Sequence, residues 1–598
     1  MIRKINFRLF AGMALTALVL SSCGLSRMVK NYNQVKYEVE PQVLEAHGGK
    51  AAVQVKGQIP PKYFHRRATI TFTPVLEFQG GESKLKSATL KGEKSTVTGT
   101  TISRKTGGNF TWNDVITYEP SMNASQLMAR ATATLRKKTV DLGTVKLADG
   151  IINTSSRYTH DEPVMEANRE TAKKLGMDLS EYYEKETIIS KKANIYFVVD
   201  RYDLNLRHEL NKNAAAVQAL ADLKAFMDQE WVIRDISINA WASPEGEESR
   251  NQGLSENRSK TAKKYIDDYF KKWQADKAKA TKKRLRDVSI PAVTFNIKAL
   301  GEDWDGFMRA VEQSQIKDKN IILNVVRSQA DVKRREQEIR NMTVIYKEIE
   351  DAILPPLRRA EITVNSFEPK RTDAQIATLS TSHPDSLTLK ELINAGELTS
   401  DLNTKQAIYE AAVRLHPQDW KAYANLGYVF LSNGQLDKAG SYLDRANTLS
   451  PNNPIVLNNL GALAAKNGDD AAARSFYKQA QGKGVSVDYQ LGILSIKDGD
   501  YAAALKSFGN TKCNYNVALA QVLSKDLTNA ATNLRCAPEN AQVFYLLAIV
   551  GARSNDSNMV YDNLKKAIAS DASYKAQAAT DREFLRFFDK AEFQAIVK

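Results

Sequence analysis

Tyr423, Leu426, Gly427, Phe430, Ala439, Leu443, Ala446 and Pro451 form a spaced pattern. A shift of 34 residues lays Leu457, Leu460, Gly461, Ala464, Ala473, Tyr477 and Ala480 on it. A unit of this length is a helical hairpin, which cannot bury its apolar face alone and must stack on copies of itself. Small residues fall where two helices would cross closely and large ones where they would interlock, and the proline ends the second helix. An upstream copy ends at Tyr409, Ala412 and Pro417. A downstream copy carries Leu491, Gly492, Gly499, Ala504 and Phe508, with Gly492 only 31 residues after Gly461. Weaker copies continue through Ala548, Leu564 and Ala567. About five repeats over 387–575 are therefore predicted, and the amphipathic stretch Phe584 to Val597 reads as a cap. Residues 387–598 form an all-α solenoid on this reading.

These residues occupy the signature positions of tetratricopeptide (TPR) repeats, and the region resembles TPR proteins. The resemblance implies that the first helix of each repeat lines a concave groove that takes an extended peptide or a partner helix. Lys421, Asn425, Tyr428, Asn458 and Lys466 are then the candidate groove contacts.

A chain of 598 residues is too long for one core, so further domains must precede the solenoid. From Tyr37 to about Thr154 the pattern has period two: Ala51, Val53, Val55; Ala68, Ile70, Phe72; Ala129, Ala131, Ala133, Leu135. Glycine pairs at 48–49, 80–81 and 107–108 separate the runs, which reads as a β-sandwich-like region over 23–154. Pro60, Pro61 and Pro74 are expected at edges or turns. Residues 155–192 are polar and weakly periodic and read as a connector, with a helix expected around Glu166–Lys174. Residues 367–386 read as an interdomain linker.

Between these lies an α/β region. Ile233 to Ala240 alternates as a strand, and Ala262, Tyr265, Ile266, Tyr269 and Phe270 draw a helical stripe. The connection between them holds Gly246, Asn251, Leu254, Ser255 and Arg258. This order resembles the signature of OmpA-like peptidoglycan-binding domains, and the resemblance extends over 193–366 with an insertion near 304–350. It implies that Arg258 clasps a stem-peptide carboxylate while an aspartate holds the ammonium group. Ser243 stands where the family has that aspartate, so weakened binding is expected, and Glu245 is the residue that could supply the missing charge. Ser243, Glu245, Asn251 and Arg258 are the candidate peptidoglycan contacts. Arg258 could instead pair with Glu247 or cap the turn.

The first residues read as an address. Arg3, Lys4 and Arg8 precede the apolar stretch Phe10 to Leu20, which is too short to span a bilayer. Leu20-Ser21-Ser22-Cys23 then resembles a lipobox. That resemblance implies a signal peptide over residues 1–22 and an acylated Cys23 anchoring the protein to the outer membrane. No acidic cluster follows within Gly24 to Lys30, so the periplasmic face is expected. In that oxidising compartment Cys513 and Cys536, at the two open ends of one helical hairpin, are expected to form a disulfide.

The net charge of +15 permits anionic partners, but no nucleic-acid motif is present, and none is expected as a partner. The most basic run, Lys271 to Arg286, reads as a solvated helix end or as a contact for anionic glycan or lipid. The six histidines show no metal-ligand spacing, and no phosphate-binding loop, nucleophile elbow or dinucleotide fingerprint occurs. No enzymatic activity, metal or cofactor is expected. The sequence supports an outer-membrane lipoprotein scaffold that links the cell wall, through the OmpA-like domain, to a protein partner in the TPR groove. The alternative is a subunit of an envelope assembly machine, for outer-membrane protein insertion, secretion or fimbrial assembly, in which the OmpA-like domain no longer binds peptidoglycan.

Overall fold

The computed structural model describes residues 23–598, which divide into two compact units. One joins residues up to Leu179 with His383–Lys598, and the other is Ser180–Ser382. The signal-peptide assignment to 1–22 lies outside the described residues.

The first unit opens with a helix, Cys23–Lys30, followed by ten strands: β1 (Lys36–Glu40), β2 (Val43–Glu45), β3 (Lys50–Ile59), β4 (Thr69–Phe78), β5 (Gly81–Lys84), β6 (Ala88–Gly92), β7 (Thr100–Ile102), β8 (Gly108–Thr117), β9 (Ser125–Leu135) and β10 (Lys138–Ile152). One sheet has the order β1-β3-β8 and the other β2-β10-β9-β4-β6-β7, with β5 also on β4. The alternation of Ala51, Val53 and Val55 on β3 and of Leu127, Ala129, Ala131 and Ala133 on β9 turns one face of each sheet into a shared core. Phe72 packs edge-on to Phe110 and Trp112 at its centre, with ring centroids 5.2 and 6.3 Å away. The helix adds Leu25 and Met28 to this core, so the packed fold begins two residues after Cys23. Pro74 lies inside β4 rather than at an edge. It sits where β4 stops pairing with β6, at Phe72, and starts pairing with β5, at Val75, so its missing N–H falls in a gap between two partners.

The rest of this unit is a solenoid of six helix pairs, one more than the repeat pattern indicated: Leu389–Glu397 with Leu402–Leu415, Trp420–Ser432 with Leu436–Leu449, Pro454–Lys466 with Asp470–Gln481, Asp488–Asp498 with Tyr501–Phe508, Tyr515–Leu523 with Leu527–Cys536, and Ala541–Ser554 with Ser557–Ser570. The fourth and fifth pairs are short, which slips the 34-residue register and merges two repeats into one in the sequence. Where helices cross, a Cβ on Gly427, Gly461 or Gly492 would stand 2.7, 2.5 or 2.4 Å from Leu443, Tyr477 or Phe508, so only glycine allows this approach. Ser573–Thr580 and Ala591–Val597 close the end, with Phe584 and Phe593 buried. Cys513 and Cys536 are bonded across the fifth pair, with Cα atoms 4.8 Å apart.

The β-sandwich docks on the last repeats. The Arg553 guanidinium bridges Glu583 and Glu45 at 2.5 Å each, Arg157 pairs with Asp581 at 2.6 Å, and Thr154 donates to Glu583 at 2.5 Å. These groups are mostly buried, so each charge is held by a partner rather than by water.

The second unit is a four-stranded sheet of order β11-β14-β12-β13, built from β11 (Ile188–Tyr196), β12 (Ile233–Ala242), β13 (Phe295–Glu302) and β14 (Arg359–Phe367). β14 pairs antiparallel with β11 and β12, and β12 pairs parallel with β13. The helices Ala214–Met227 and Glu248–Ala280 supply Leu220, Leu223, Ala262, Ile266 and Phe270 to its core. The long helix covers much of the basic run, and residues 281–287 are exposed beyond it. The insertion forms the helices Trp304–Gln313, Lys319–Ser328, Val332–Asn341 and Thr343–Glu348. The stretch expected as a linker contains the helix Asp373–Ser382. The residues expected as one connector are shared out: 155–179 pack in the first unit, and β11 of the second begins at Ile188. Among the described residues no helix is long and apolar enough to cross a membrane.

Candidate functional sites: a filled groove and an arginine cleft

The first helices of the solenoid repeats carry asparagines on their inner face: Asn425, Asn458, Asn459 and Asn516, each almost wholly buried. A side-chain amide offers a donor and an acceptor side by side, and so can hold the N–H and C=O of one extended residue. Asn459 accepts from the Met165 N–H and donates to its C=O, both at 2.7 Å. Asn425 does the same for Ala167 at 2.5 and 3.2 Å, and Asn516 for Thr159 at 2.8 and 3.0 Å. Asn458 donates to the Pro163 carbonyl at 2.9 Å.

Side chains complete the fit. Glu166 takes both carboxylate contacts from Lys405 at 2.7 Å and accepts from the Tyr409 hydroxyl, whose pKa burial and this carboxylate raise well above its ordinary value. Asp161 accepts from Tyr489 and Asn516 at 2.8 Å each. Lys466 donates to the His160 carbonyl at 2.6 Å. The segment 158–168 thus lies extended along the solenoid, and the helix Arg169–Lys174 follows, capped by the Asn168 side chain.

The groove is filled by the chain itself, which corrects the expectation of an open site there. Asn425, Asn458 and Lys466 are engaged by residues 160–167. Lys421 is buried and donates to Asp419 at 3.1 Å, and Tyr428 lies under the Lys405 ammonium, 5.7 Å from its ring centre. The sequence pointed to the right helices. It missed Asn459, Asn516, Lys405 and Tyr409, because their partners lie roughly 250–350 residues away in the chain, beyond the reach of a local pattern.

In the second unit, the turn from β12 into Glu248–Ala280 brings Ser243, Glu245, Gly246, Asn251, Leu254 and Arg258 together. The Arg258 guanidinium is 1 % exposed and donates to three carbonyls: Arg201 at 3.0 Å, Trp241 at 2.9 Å and Val198 at 3.4 Å. Among the described residues it makes no ion pair with a carboxylate, Glu247 included. Burial and the nearby Arg358 push its pKa down to about 10, so it remains a cation at neutral pH. Asn251 donates to the Glu245 carbonyl at 2.9 Å and to Glu302 at 2.8 Å, which ties the turn to the end of β13. Ser255 accepts from the Gly301 N–H at 3.1 Å.

Ser243 donates to the Glu245 carboxylate at 2.5 Å, and Arg358 grips that same carboxylate at 2.8 Å. The acid two residues after Ser243 is therefore already paired, by Arg358 just before β14. In front lies a cleft of about 250 Å³ lined by Arg258, Arg340, Arg250, Glu245, Asn251 and Tyr346. Arg250 is held by Asp200 and Arg258 by its three carbonyls, while Arg340 is exposed at the cleft. The described residues hold no group of three or more His, Cys, Asp and Glu placed for a metal.

The helix-pair stack, its small-residue crossings and its asparagine-lined inner face define a TPR-type protein-interaction scaffold, the class to which the C-terminal array belongs. A tetratricopeptide-repeat family model matches residues 408–440. No curated protein matches the chain. The solved structures similar to it include one described as a functional characterization of Pseudomonas aeruginosa pilF, 16% identical over 38% of this chain and 98% of that one, with a TM-score of 0.25. PilW, described as a widely conserved type IV pilus biogenesis factor, is 16% identical over 38% and 99%, with a TM-score of 0.26. The Cut9-Hcn1 hetero-tetramer of APC/C is 11% identical over 64% and 82%, with a TM-score of 0.27.

Proposed function

We propose that the protein is a non-enzymatic envelope scaffold. It is anchored through an acylated Cys23 at the periplasmic face of the outer membrane, and residues 180–382 act as an OmpA-like domain toward the cell wall. The observation that carries the cell-wall reading is the cationic cleft. Arg258 is fixed by three carbonyls at its base, Arg340 stands at its mouth, and a stem-peptide carboxylate is the ligand their charge suits. The ammonium half of the family's site is weak here, because Glu245 is neutralised by Arg358.

That pairing favours a second reading, a subunit of an envelope assembly machine in which this domain contacts protein. Sedimentation with purified sacculi separates the two. The native protein is expected to co-sediment weakly. Arg340→Glu should lower capture by roughly ten-fold or more, the loss of one charge-assisted hydrogen bond. Ser243→Asp should raise it, since a carboxylate 3.2 Å from Arg358 can take that arginine and free Glu245 for an ammonium group. If native protein and Ser243→Asp both stay in the supernatant, the cell-wall role falls and the machine reading replaces it. The anchor is tested separately: in a high-salt wash that screens charge-driven membrane binding, Cys23→Ala should move the protein from the membrane to the soluble fraction, and unchanged fractionation there would refute acylation.

A further inference from the structure

One end of the β-sandwich gathers a cluster of exposed cations. The loop after β3, the stretches after β6 and β7, and the β9–β10 hairpin enclose a cleft of about 870 Å³. Arg67, Lys94, Arg104, Arg136, Lys137 and Lys138 line it, all exposed. Arg66 also reaches it and has Glu93 at 3.7 Å; among the described residues none of the other six has a carboxylate within 4 Å. His65, at the floor, is held below its ordinary pKa by burial and then by Arg104, Arg67 and Arg136, so the field in the cleft is positive before any ligand enters. No Phe, Tyr or Trp lines it, so it lacks the stacking surface that single-stranded nucleic acid uses.

Gly24 is part of the same wall, packed so closely that a Cβ there would lie 2.8 Å from His65. Leu25 and Met28 are locked in the sandwich core, so no flexible tether separates residue 23 from this end of the fold. A membrane attached at Cys23 would therefore come up against this end of the sandwich.

We propose that this cleft binds the phosphate-bearing headgroups of anionic membrane lipids and seats the β-sandwich directly on the bilayer surface. Six cations at one surface contribute additively to attraction toward anionic lipid, and salt within a Debye length screens it. The proposal rests on the N-terminal anchoring proposed above, yet its chemistry can be measured without the anchor.

The test is flotation of residues 24–598, which hold every described strand, with vesicles of phosphatidylcholine alone or mixed with phosphatidylglycerol. The native sequence should float with the mixed vesicles only. The triple variant Arg67→Glu, Arg104→Glu, Lys137→Glu should lose about ten-fold or more of that binding. Lys272→Glu, Lys283→Glu, Arg284→Glu makes the same charge change on the basic run of the second unit and should float like the native protein. Equal loss in the two variants would show that net charge alone acts, and would overturn the site. No flotation of the native sequence would overturn it too, as would a short RNA that binds the cleft residues and displaces the vesicles. Membrane release by Cys23→Ala with normal flotation of 24–598 would leave both proposals standing. Unchanged fractionation of Cys23→Ala would remove only the acyl anchor.

Discussion

Asn459 holds both main-chain groups of Met165, accepting its N–H and donating to its C=O at 2.7 Å. Removing the amide leaves two part-buried backbone groups without their partner, at a cost of about 1–3 kcal/mol. Asn459→Ala and Asn425→Ala should each lower the stability of the first unit by that amount in urea denaturation. The double variant should expose residues 158–168 to limited proteolysis while the solenoid helices stay intact.

Gly461 faces Tyr477, whose ring is fully buried. Gly461→Ala puts a methyl group where the Tyr477 ring already lies, and overpacking of this kind costs about 1–3 kcal/mol. Gly468, in the open turn after the same helix with φ +81° and no atom within 4 Å of a built Cβ, should lose less on substitution. Thermal unfolding of both variants checks the order.

Cys513 and Cys536, 23 residues apart, close the fifth helix pair. On the chain-entropy model, a link over a loop of this length stabilises by about 3 kcal/mol. Denatured, unreduced protein should yield no labelled thiol at these two positions. Reduction should lower the unfolding midpoint of the first unit and leave the transition of residues 180–382 unchanged.

Glu336 lies against Glu302, the same carboxylate that receives Asn251 and Trp304. Burial, and then the second carboxylate, push its pKa up to about 8. The folded state therefore binds this proton more tightly than the unfolded chain does. The stabilisation is complete below the ordinary carboxylate value and is lost as pH rises through about 8. The second unit should melt at a lower temperature at pH about 8.5 than at pH about 5. Glu336→Gln should raise the midpoint at the higher pH and flatten the dependence.

Much of the architecture could be read locally. The alternation on β3, β4 and β9, the stripe on Glu248–Ala280 and the 34-residue glycine spacing each report a buried face, and burial is what periodicity encodes. The sixth helix pair was hidden by two short repeats that break the spacing. The filled groove was hidden for a different reason. Residues 158–168 have no periodicity because main-chain groups, not side-chain faces, fix them, and an extended segment held by amides leaves no trace in its own composition. At the arginine cleft, Ser243, Asn251 and Arg258 lie near one another on a single strand-to-helix connection, but Arg340, on a helix, and Arg358, just before β14, come from roughly 80–100 residues downstream, where no local pattern points back to it.

Because the groove is occupied by the chain's own segment, a partner must bind elsewhere on the scaffold or displace it. Hydrogen exchange of the intact protein reads this directly. The amides of Thr159, Met165 and Ala167, donated to Asn516, Asn459 and Asn425, should be protected as strongly as the helices that carry those asparagines, and those of Met165 and Ala167 should lose protection selectively in the Asn425→Ala, Asn459→Ala double variant. Exchange of these three amides at the rate of an unstructured peptide, with the solenoid helices still protected, would contradict it.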